Sequence, residues 1–272
     1  MKLSIALSPA RSNFAPLLYS GDIMKGICRA AALGYDGVEL NIRDVRQDVP
    51  LDRIIDLAGS LKLDIVALGT GQSYLADGWS ILSPVPEVRE RLLDRLKAHI
   101  DFGARAGAKL ILGGVFGKLV GDESQREMEL DGALDLVRTL AGYAAWSGVE
   151  IVIEPINRYE TNFLNTVDQA LAFISKAGCT GMKVLPDTFH MNIEEADPFA
   201  AVARAAGMVG HFHLADSNRM SPGKGHVDFP AMLGVLKSIQ YGGYVSGEFL
   251  PLPDDETAVS SNIRYMREIL GG

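Results

Sequence analysis

Cysteine is scarce: the 272-residue chain has two, Cys28 and Cys179, far apart and with no CxxC spacing. That excludes a disulfide framework and a thiolate metal site. Both cysteines sit among small or apolar residues and are expected as buried thiols in a reducing, cytoplasmic setting. Long hydrophobic runs are also missing. Nothing approaches the roughly 18 uninterrupted apolar residues that a membrane-spanning helix needs. The opening run Met1-Lys2-Leu3-Ser4-Ile5-Ala6-Leu7 stops at Pro9, too short for a signal-peptide core and cleavage site. Positive charge is in deficit: 26 Lys and Arg against 34 Asp and Glu leave a net charge of −8. Such a surface repels phosphate backbones, so no nucleic-acid partner is expected. Linkers, low-complexity segments and charge blocks are lacking too, and a single domain over residues 1–272 is the simplest organisation.

What is present is alternation. Short apolar runs at 3–7, 37–40, 65–68, 110–112, 151–153, 182–185, 209–214 and 244–247 read as strands. Between them, residues 22–33, 51–61, 87–106, 124–147, 166–177, 197–206, 229–240 and 255–270 carry apolar residues at three- and four-residue spacing, as helices with one buried face do. Strict strand–helix alternation implies a parallel sheet, because parallel strands need crossovers. Eight units in this length fit an α/β fold closed as a (β/α)8 barrel. Gly34, Gly107, Gly148, Gly178 and Gly242 fall near helix ends, where glycine accepts the left-handed conformation that terminates a helix. Two non-periodic stretches, 70–86 and 215–227, follow the third and seventh strands and are expected as loops on the catalytic face.

Barrel sites are built where strands end. The last polar residues of strands five to eight are Glu154, Asp187, His213 and Glu248. Three hard oxygen donors and one imidazole suit Mn²⁺ first, with Mg²⁺ or Co²⁺ as alternatives, better than a thiolate-loving metal. The bland alternative is a hydrogen-bonded polar layer closing the barrel top. Asn157, Arg158 and Glu160 follow strand five, and His190 and Asn192 follow strand six. His190, three residues beyond Asp187, reads as sharing its loop and within reach of a substrate oxygen. His211 is expected on the opposite face from His213 and is assigned a supporting or structural place. His226 and Asp228 read as capping the next helix, and His99 receives no role.

These residues lie inside longer phrases: Ile153-Glu154-Pro155-Ile156-Asn157-Arg158-Tyr159-Glu160-Thr161, Asp187-Thr188-Phe189-His190-Met191-Asn192-Ile193-Glu194-Glu195, and Gly210-His211-Phe212-His213-Leu214-Ala215-Asp216-Ser217-Asn218-Arg219. With them the chain resembles the ketose 3-epimerases, the tagatose and allulose epimerase group of the xylose-isomerase-like TIM barrels. The resemblance runs over the whole chain and is densest from 151 to 253. It implies that Glu154, Asp187, His213 and Glu248 hold a divalent metal. It also implies that Glu154 and Glu248 are the acid–base pair, and that His190, Arg219 and Glu160 contact or support substrate.

Residues 67–78, 215–219 and 250–253 are similar to the 5-keto-L-gluconate epimerases, which make D-tagaturonate. Ala215-Asp216 stands where the free-sugar epimerases usually have Gly-Glu. The expected substrate is therefore a keto-sugar acid or, second, a ketohexose. The carbinol carbon next to the ketone would be inverted through an enediolate. A sugar acid would need a cation, for which Lys118, Arg158 and Lys224 are candidates.

Three alternatives stay open: an aldose–ketose isomerase of the hydroxypyruvate isomerase type, an inosose-type dehydratase, and a non-catalytic sugar-binding protein. A repair endonuclease of the same superfamily is disfavoured. It would carry His at the ends of strands three and four, where this chain has Gly69-Thr70 and Gly113-Gly114. The resemblance implies that oligomers are common, although no stripe in the sequence identifies an interface.

Overall fold

Short apolar runs, buried on both faces, form most of the strands. The structure, a computed structural model, describes residues 1–10, 16–47 and 49–271. Eight strands form one sheet: β1 (Lys2–Leu7), β2 (Gly37–Asn41), β3 (Asp64–Gly69), β4 (Lys109–Leu112), β5 (Ile151–Ile153), β6 (Met182–Val184), β7 (Phe212–Leu214) and β8 (Tyr244–Gly247). The helices are α1 (Ile23–Leu33), α2 (Leu51–Ser60), α3 (Gln72–Asp77), α4 (Pro86–Ala106), α5 (Glu123–Ser147), α6 (Val167–Ala177), α7 (Thr188–Glu194), α8 (Pro198–Ala205), α9 (Phe229–Ser238) and α10 (Asp255–Gly271). All neighbouring strands pair in parallel, in the order β6-β5-β4-β3-β2-β1-β8-β7.

Residues of the strands divide between two cores. Leu3, Ile5 and Leu7 of β1, and Val38 and Leu40 of β2, join the large apolar layer under the helices. Val66, Ala67, Ile111, Val152 and Leu185 form a small plug inside the barrel. Val66 and Ala67 share that interior because the β2–β3 register slips by one residue between Val38 and Glu39. Residues two further along several strands, Gly113, Glu154 and Asp187, therefore also face inward, above the plug.

The two ends of the ladder, β6 and β7, meet at a thinner seam. Parallel bridges join Val184 to Val209 and Asp187 to His213. The Gly210 N–H donates to the Val184 carbonyl at 2.9 Å and the His213 N–H to the Pro186 carbonyl at 3.0 Å. A buried side chain reinforces this seam: Thr188 Oγ1 donates to the Ala215 carbonyl at 2.7 Å and accepts from its N–H at 2.9 Å.

Several expectations change. Two short helices, α3 and α7, occupy segments expected as loops. Gly34, Gly107, Gly148 and Gly178 are left-handed at helix ends as expected. At the fifth junction Gln240, at φ 59°, takes that conformation in place of Gly242. Asp228 caps α9, accepting from the Ala231 N–H, but His226 bonds Ser217 Oγ instead. Cys28 is exposed and Cys179 half-buried, so the expectation of buried thiols fails. In α1 the inward positions are Ile23, Gly26, Ile27 and Ala30, which leaves Cys28 on the outer side. Among the described residues, no helix is long and apolar enough to cross a membrane.

The seam generates a stability prediction. Thr188→Val keeps the volume but leaves the buried Ala215 N–H and carbonyl without that partner, a cost of about 2 kcal/mol. Urea unfolding should show the drop, and an unchanged midpoint would mean the seam does not depend on Thr188.

Candidate metal centre

Four consecutive strands deliver the four strand-end residues to one point. Ligand-type atoms of Glu154, Asp187, His213 and Glu248 all lie within 4.8 Å of one another. The Glu154 N–H continues the β4–β5 ladder to the Leu112 carbonyl, and the Glu248 N–H bonds the Leu214 carbonyl. Each carboxylate is thus fixed one step beyond its strand. Asp187 caps α7: its Oδ1 accepts from the Phe189 N–H at 2.7 Å and from the His190 N–H at 3.4 Å. Its Oδ2 faces the cluster and accepts from Arg219 Nη1 at 2.6 Å. His213 Nδ1 points among the carboxylates, 3.1 Å from Glu154 Oε1, 3.5 Å from Glu248 Oε2 and 3.8 Å from Asp187 Oδ2.

Arg219 stands over the centre. It is buried, ion-paired with Asp187 and Glu248, and its guanidinium lies 4.8 Å from the centre of the Phe189 ring. Its φ of 60° is held by a tight loop around Asp216. The Asp216 carboxylate accepts from the N–H groups of Ser217, Gly223, Lys224 and Val227.

Glu39, from β2, was absent from the sequence reading of the site. It is fully buried and accepts from Nε2 of both His211 and His213. His211 and His213 therefore face the same way, which corrects the expectation of opposite faces. Residues i and i+2 of a strand share a face.

The electrostatics follow from crowding. Four buried or nearly buried carboxylates, of Glu39, Glu154, Asp187 and Glu248, face two cationic groups, Arg219 and His213. Burial pushes the Glu154 carboxyl well above the usual range; contact with His213 only partly offsets it, while Glu248 and Asp187 add to the rise. Burial works against ionised Asp187 as well, but Arg219, His190 and His213 hold its carboxyl below the usual range. Glu39 is likewise held down, against burial, by its two imidazoles. Burial opposes a charged His213, yet Glu39, Glu248 and Glu154 outweigh it and raise that imidazole well above its ordinary value. Carboxylate charge thus outnumbers its partners in a site of low dielectric. A hard oxygen-and-imidazole donor set with excess negative charge fits a divalent cation.

His190 behaves differently. Burial depresses it to about 4, against the pull of Asp187. Its Nδ1 lies 2.8 Å from Asn157 Nδ2 and 3.4 Å from the Asn157 backbone N. Both neighbours are donors, so Nδ1 accepts and the proton sits on Nε2. Asn157 Nδ2 also donates to Glu160 Oε1 at 2.7 Å, tying Glu160 to the same group.

A cleft of about 130 Å³ opens over the centre. Glu154, Glu160, His190, His213, Arg219 and Glu248 line it together with Asn41, Thr70, Gln72, Leu75, Pro16 and Leu17. Gly69 and Gly113 line it at the ends of β3 and β4. A Cβ at Gly69 would sit 1.8 Å from Asn41 Oδ1, and one at Gly113 would sit 2.3 Å from Glu154 Oε2. Side chains there would fill the space these groups occupy. The cations offered for a sugar acid are not brought in. Among the described residues Arg219 is the only Lys or Arg lining the cleft, whereas Arg158 pairs with Glu194 at 2.8 Å and Lys118 and Lys224 lie outside the lining.

The family described as Xylose isomerase-like TIM barrel matches residues 27–269. A D-psicose 3-epimerase of Agrobacterium fabrum is 39% identical over 137 residues, half of this chain and 46% of that protein. The 3-dehydro-D-guloside 4-epimerase of Escherichia coli is 31% identical over 220 residues, 78% of this chain and 81% of that protein. The crystal structure of D-allulose 3-epimerase from Methylomonas sp. superposes with a TM-score of 0.82 at 25% identity, covering 98% of both chains.

The glycine at the end of β4 yields the test of the geometry. Gly113→Ala is expected to displace the Glu154 carboxylate and weaken Mn²⁺ binding by about tenfold or more. Calorimetric titration on protein with unchanged far-UV circular dichroism measures it; wild-type affinity would show that Glu154 relocates freely.

Proposed function

The chain belongs to the xylose isomerase-like TIM barrel family, and on that premise we propose that it is a divalent-metal-dependent sugar epimerase. It inverts the carbinol carbon next to the keto group of a keto-sugar acid of the 5-keto-L-gluconate/D-tagaturonate type, or of a ketohexose. The observation that carries this reading is the buried convergence of Glu154, Asp187, His213 and Glu248 under a cleft. The names of the relatives support the reaction class. A 3-epimerase of a 2-ketose and a 4-epimerase of a 3-keto sugar act at different carbons, but each such carbon is adjacent to a carbonyl.

Glu154, Asp187, His213 and Glu248 would hold the ion, with Mn²⁺ the first choice for this donor set and Mg²⁺ or Co²⁺ compatible with it. When bound, a divalent ion supplies Lewis-acid stabilisation for negative charge developing on substrate oxygens. The protein's own groups handle the proton. One of Glu154 and Glu248, as carboxylate, takes the proton from the carbinol carbon, and the C–H electron pair moves toward the carbonyl oxygen. The other, as carboxylic acid, returns a proton on the opposite face. In strand order the two flank Asp187 and His213, which would let them approach a bound substrate from different sides. The raised Glu154 carboxyl suits a group that must exist in both forms near neutral pH.

His190 stays neutral because burial depresses it. It presents Nε2–H as a donor to the oxygen where charge develops. Glu160, held through Asn157, and Arg219 would bind substrate hydroxyls. Pro16, Leu17, Leu75 and Ile156 give the cleft an apolar lining that helps exclude water.

Proton NMR in D2O tests the reading. The Mn²⁺-loaded protein should exchange deuterium into the carbon next to the carbonyl of one member of a panel of ketohexoses and hexulosonic acids, with its epimer appearing. Exchange with a sugar acid alone selects that branch. Formation of an aldose, loss of water, or no exchange by metal-loaded protein would point to an isomerase, a dehydratase or a binding protein instead. Glu154→Gln and Glu248→Gln should each abolish turnover, a loss of about 10²-fold or more. Near-full activity in either would overturn the two-carboxylate scheme.

A further inference from the structure

His213 reaches the candidate metal centre with one ring nitrogen and the far wall of the barrel with the other. Its Nε2 donates to Glu39 Oε2 at 2.9 Å, and its Nδ1 is the atom placed among Glu154, Asp187 and Glu248. Glu39 comes from β2, separated from β7 by β1 and β8 in the sheet order. The contact therefore spans the barrel interior.

The same oxygen, Glu39 Oε2, accepts from His211 Nε2 at 3.0 Å. The two imidazoles stand edge to face, with centroids 5.4 Å apart and planes at 80°. A carboxylate only accepts, so both rings must carry a proton on Nε2. For His213, whose Nδ1 also faces a carboxylate oxygen, that choice makes Nδ1 the nitrogen that would give up its proton to bind an ion. For His211 it leaves Nδ1 as a bare acceptor, and that atom is buried without a protein partner.

A carboxylate with no exposure, alone inside a barrel, is costly unless paired and hydrogen-bonded. His211 supplies the second N–H that keeps Glu39 in place. Asn41 Nδ2 lies 3.5 Å from the other Glu39 oxygen, at the outer limit of a hydrogen bond.

Glu39, His211 and His213 also lie close enough to hold an ion of their own. The geometry speaks against that use. Both Nε2 atoms approach the carboxylate oxygen at hydrogen-bond distance. Taking Nε2 of His213 for a second ion would also remove the bond that aims its Nδ1.

We infer that Glu39 is a positioning residue for the metal centre, with His211 as its anchor: together they fix the tautomer and orientation in which His213 offers Nδ1 to the ion. The inference rests on the metal-site reading above, and it is separable from it by experiment. The wild-type protein, stripped of metal, is titrated with Mn²⁺ while electron paramagnetic resonance follows the free ion. Failure of the wild type to bind would count against the metal-site reading itself. Given wild-type binding with one ion per chain, Glu39→Gln should raise the Mn²⁺ dissociation constant by about 10- to 100-fold. The amide oxygen accepts from the imidazoles more weakly than a carboxylate, and its NH2 would face the Asn41 amide, itself a donor.

Glu39→Asp keeps the charge but withdraws the carboxylate by one methylene, and it should weaken binding too. Wild-type affinity in Glu39→Asp, with loss only in Glu39→Gln, would mean that charge and not position matters, and would overturn the inference. Wild-type affinity in folded Glu39→Gln would do the same, as would two tight Mn²⁺ ions per wild-type chain. Circular dichroism and thermal melting establish folding of each variant. His211→Gln leaves every carboxylate in place and carries the test if the Glu39 variants do not fold. It should weaken Mn²⁺ several-fold and shift the visible spectrum of the Co²⁺-loaded protein. Unchanged affinity and spectrum there would overturn the role of His211 and the inference with it.

Discussion

Mutual repulsion among buried carboxylates governs the upper half of this barrel. Glu39, Glu154, Asp187 and Glu248 sit where water barely reaches, and in such a medium unpaired like charges cost several kcal/mol. Arg219 bridges two of them, His213 lies among three and hydrogen-bonds a fourth, and the α7 N-terminus takes up one oxygen of Asp187. These partners are held in turn. The Asp216 carboxylate gathers four backbone N–H groups, and the turn it closes sets the left-handed backbone of Arg219. Removing the charge crowding would remove the reason for most of these contacts.

The barrel and the four strand-end residues were legible because short apolar runs and helical spacing are local properties. Strands of three to six residues flanked by helices with clear apolar faces leave few other topologies. What escaped has a physical reason in each case. The helices α3 and α7 span six and seven residues, too short to display a period. In α7 the capping residue is itself a site residue, so Asp187 was read for its chemistry and not for its local structure. Glu39 looks like any acidic residue in a strand, and its partners lie 172 and 174 residues away. The misplacement of His211 was an error of parity. The exposure of Cys28 was readable from the face that α1 buries.

The cleft owes its shape as much to missing side chains as to present ones. At the ends of β3 and β4, Gly69 and Gly113 yield their inward space to Asn41 and Glu154. The four clustered ligand-type residues then come from β5 to β8, and glycines line the cleft at the ends of β3 and β4.

Asp187 is at once the cap of α7 and a member of the carboxylate cluster, with a different oxygen in each task. His190 stands in the first turn of that helix and lines the cleft. The orientation of a donor facing the cleft is therefore geared to the same side chain that faces the centre of charge. A shift of that carboxylate would swing the imidazole with it, as a door handle turns its latch, so the two halves of the site share one axle.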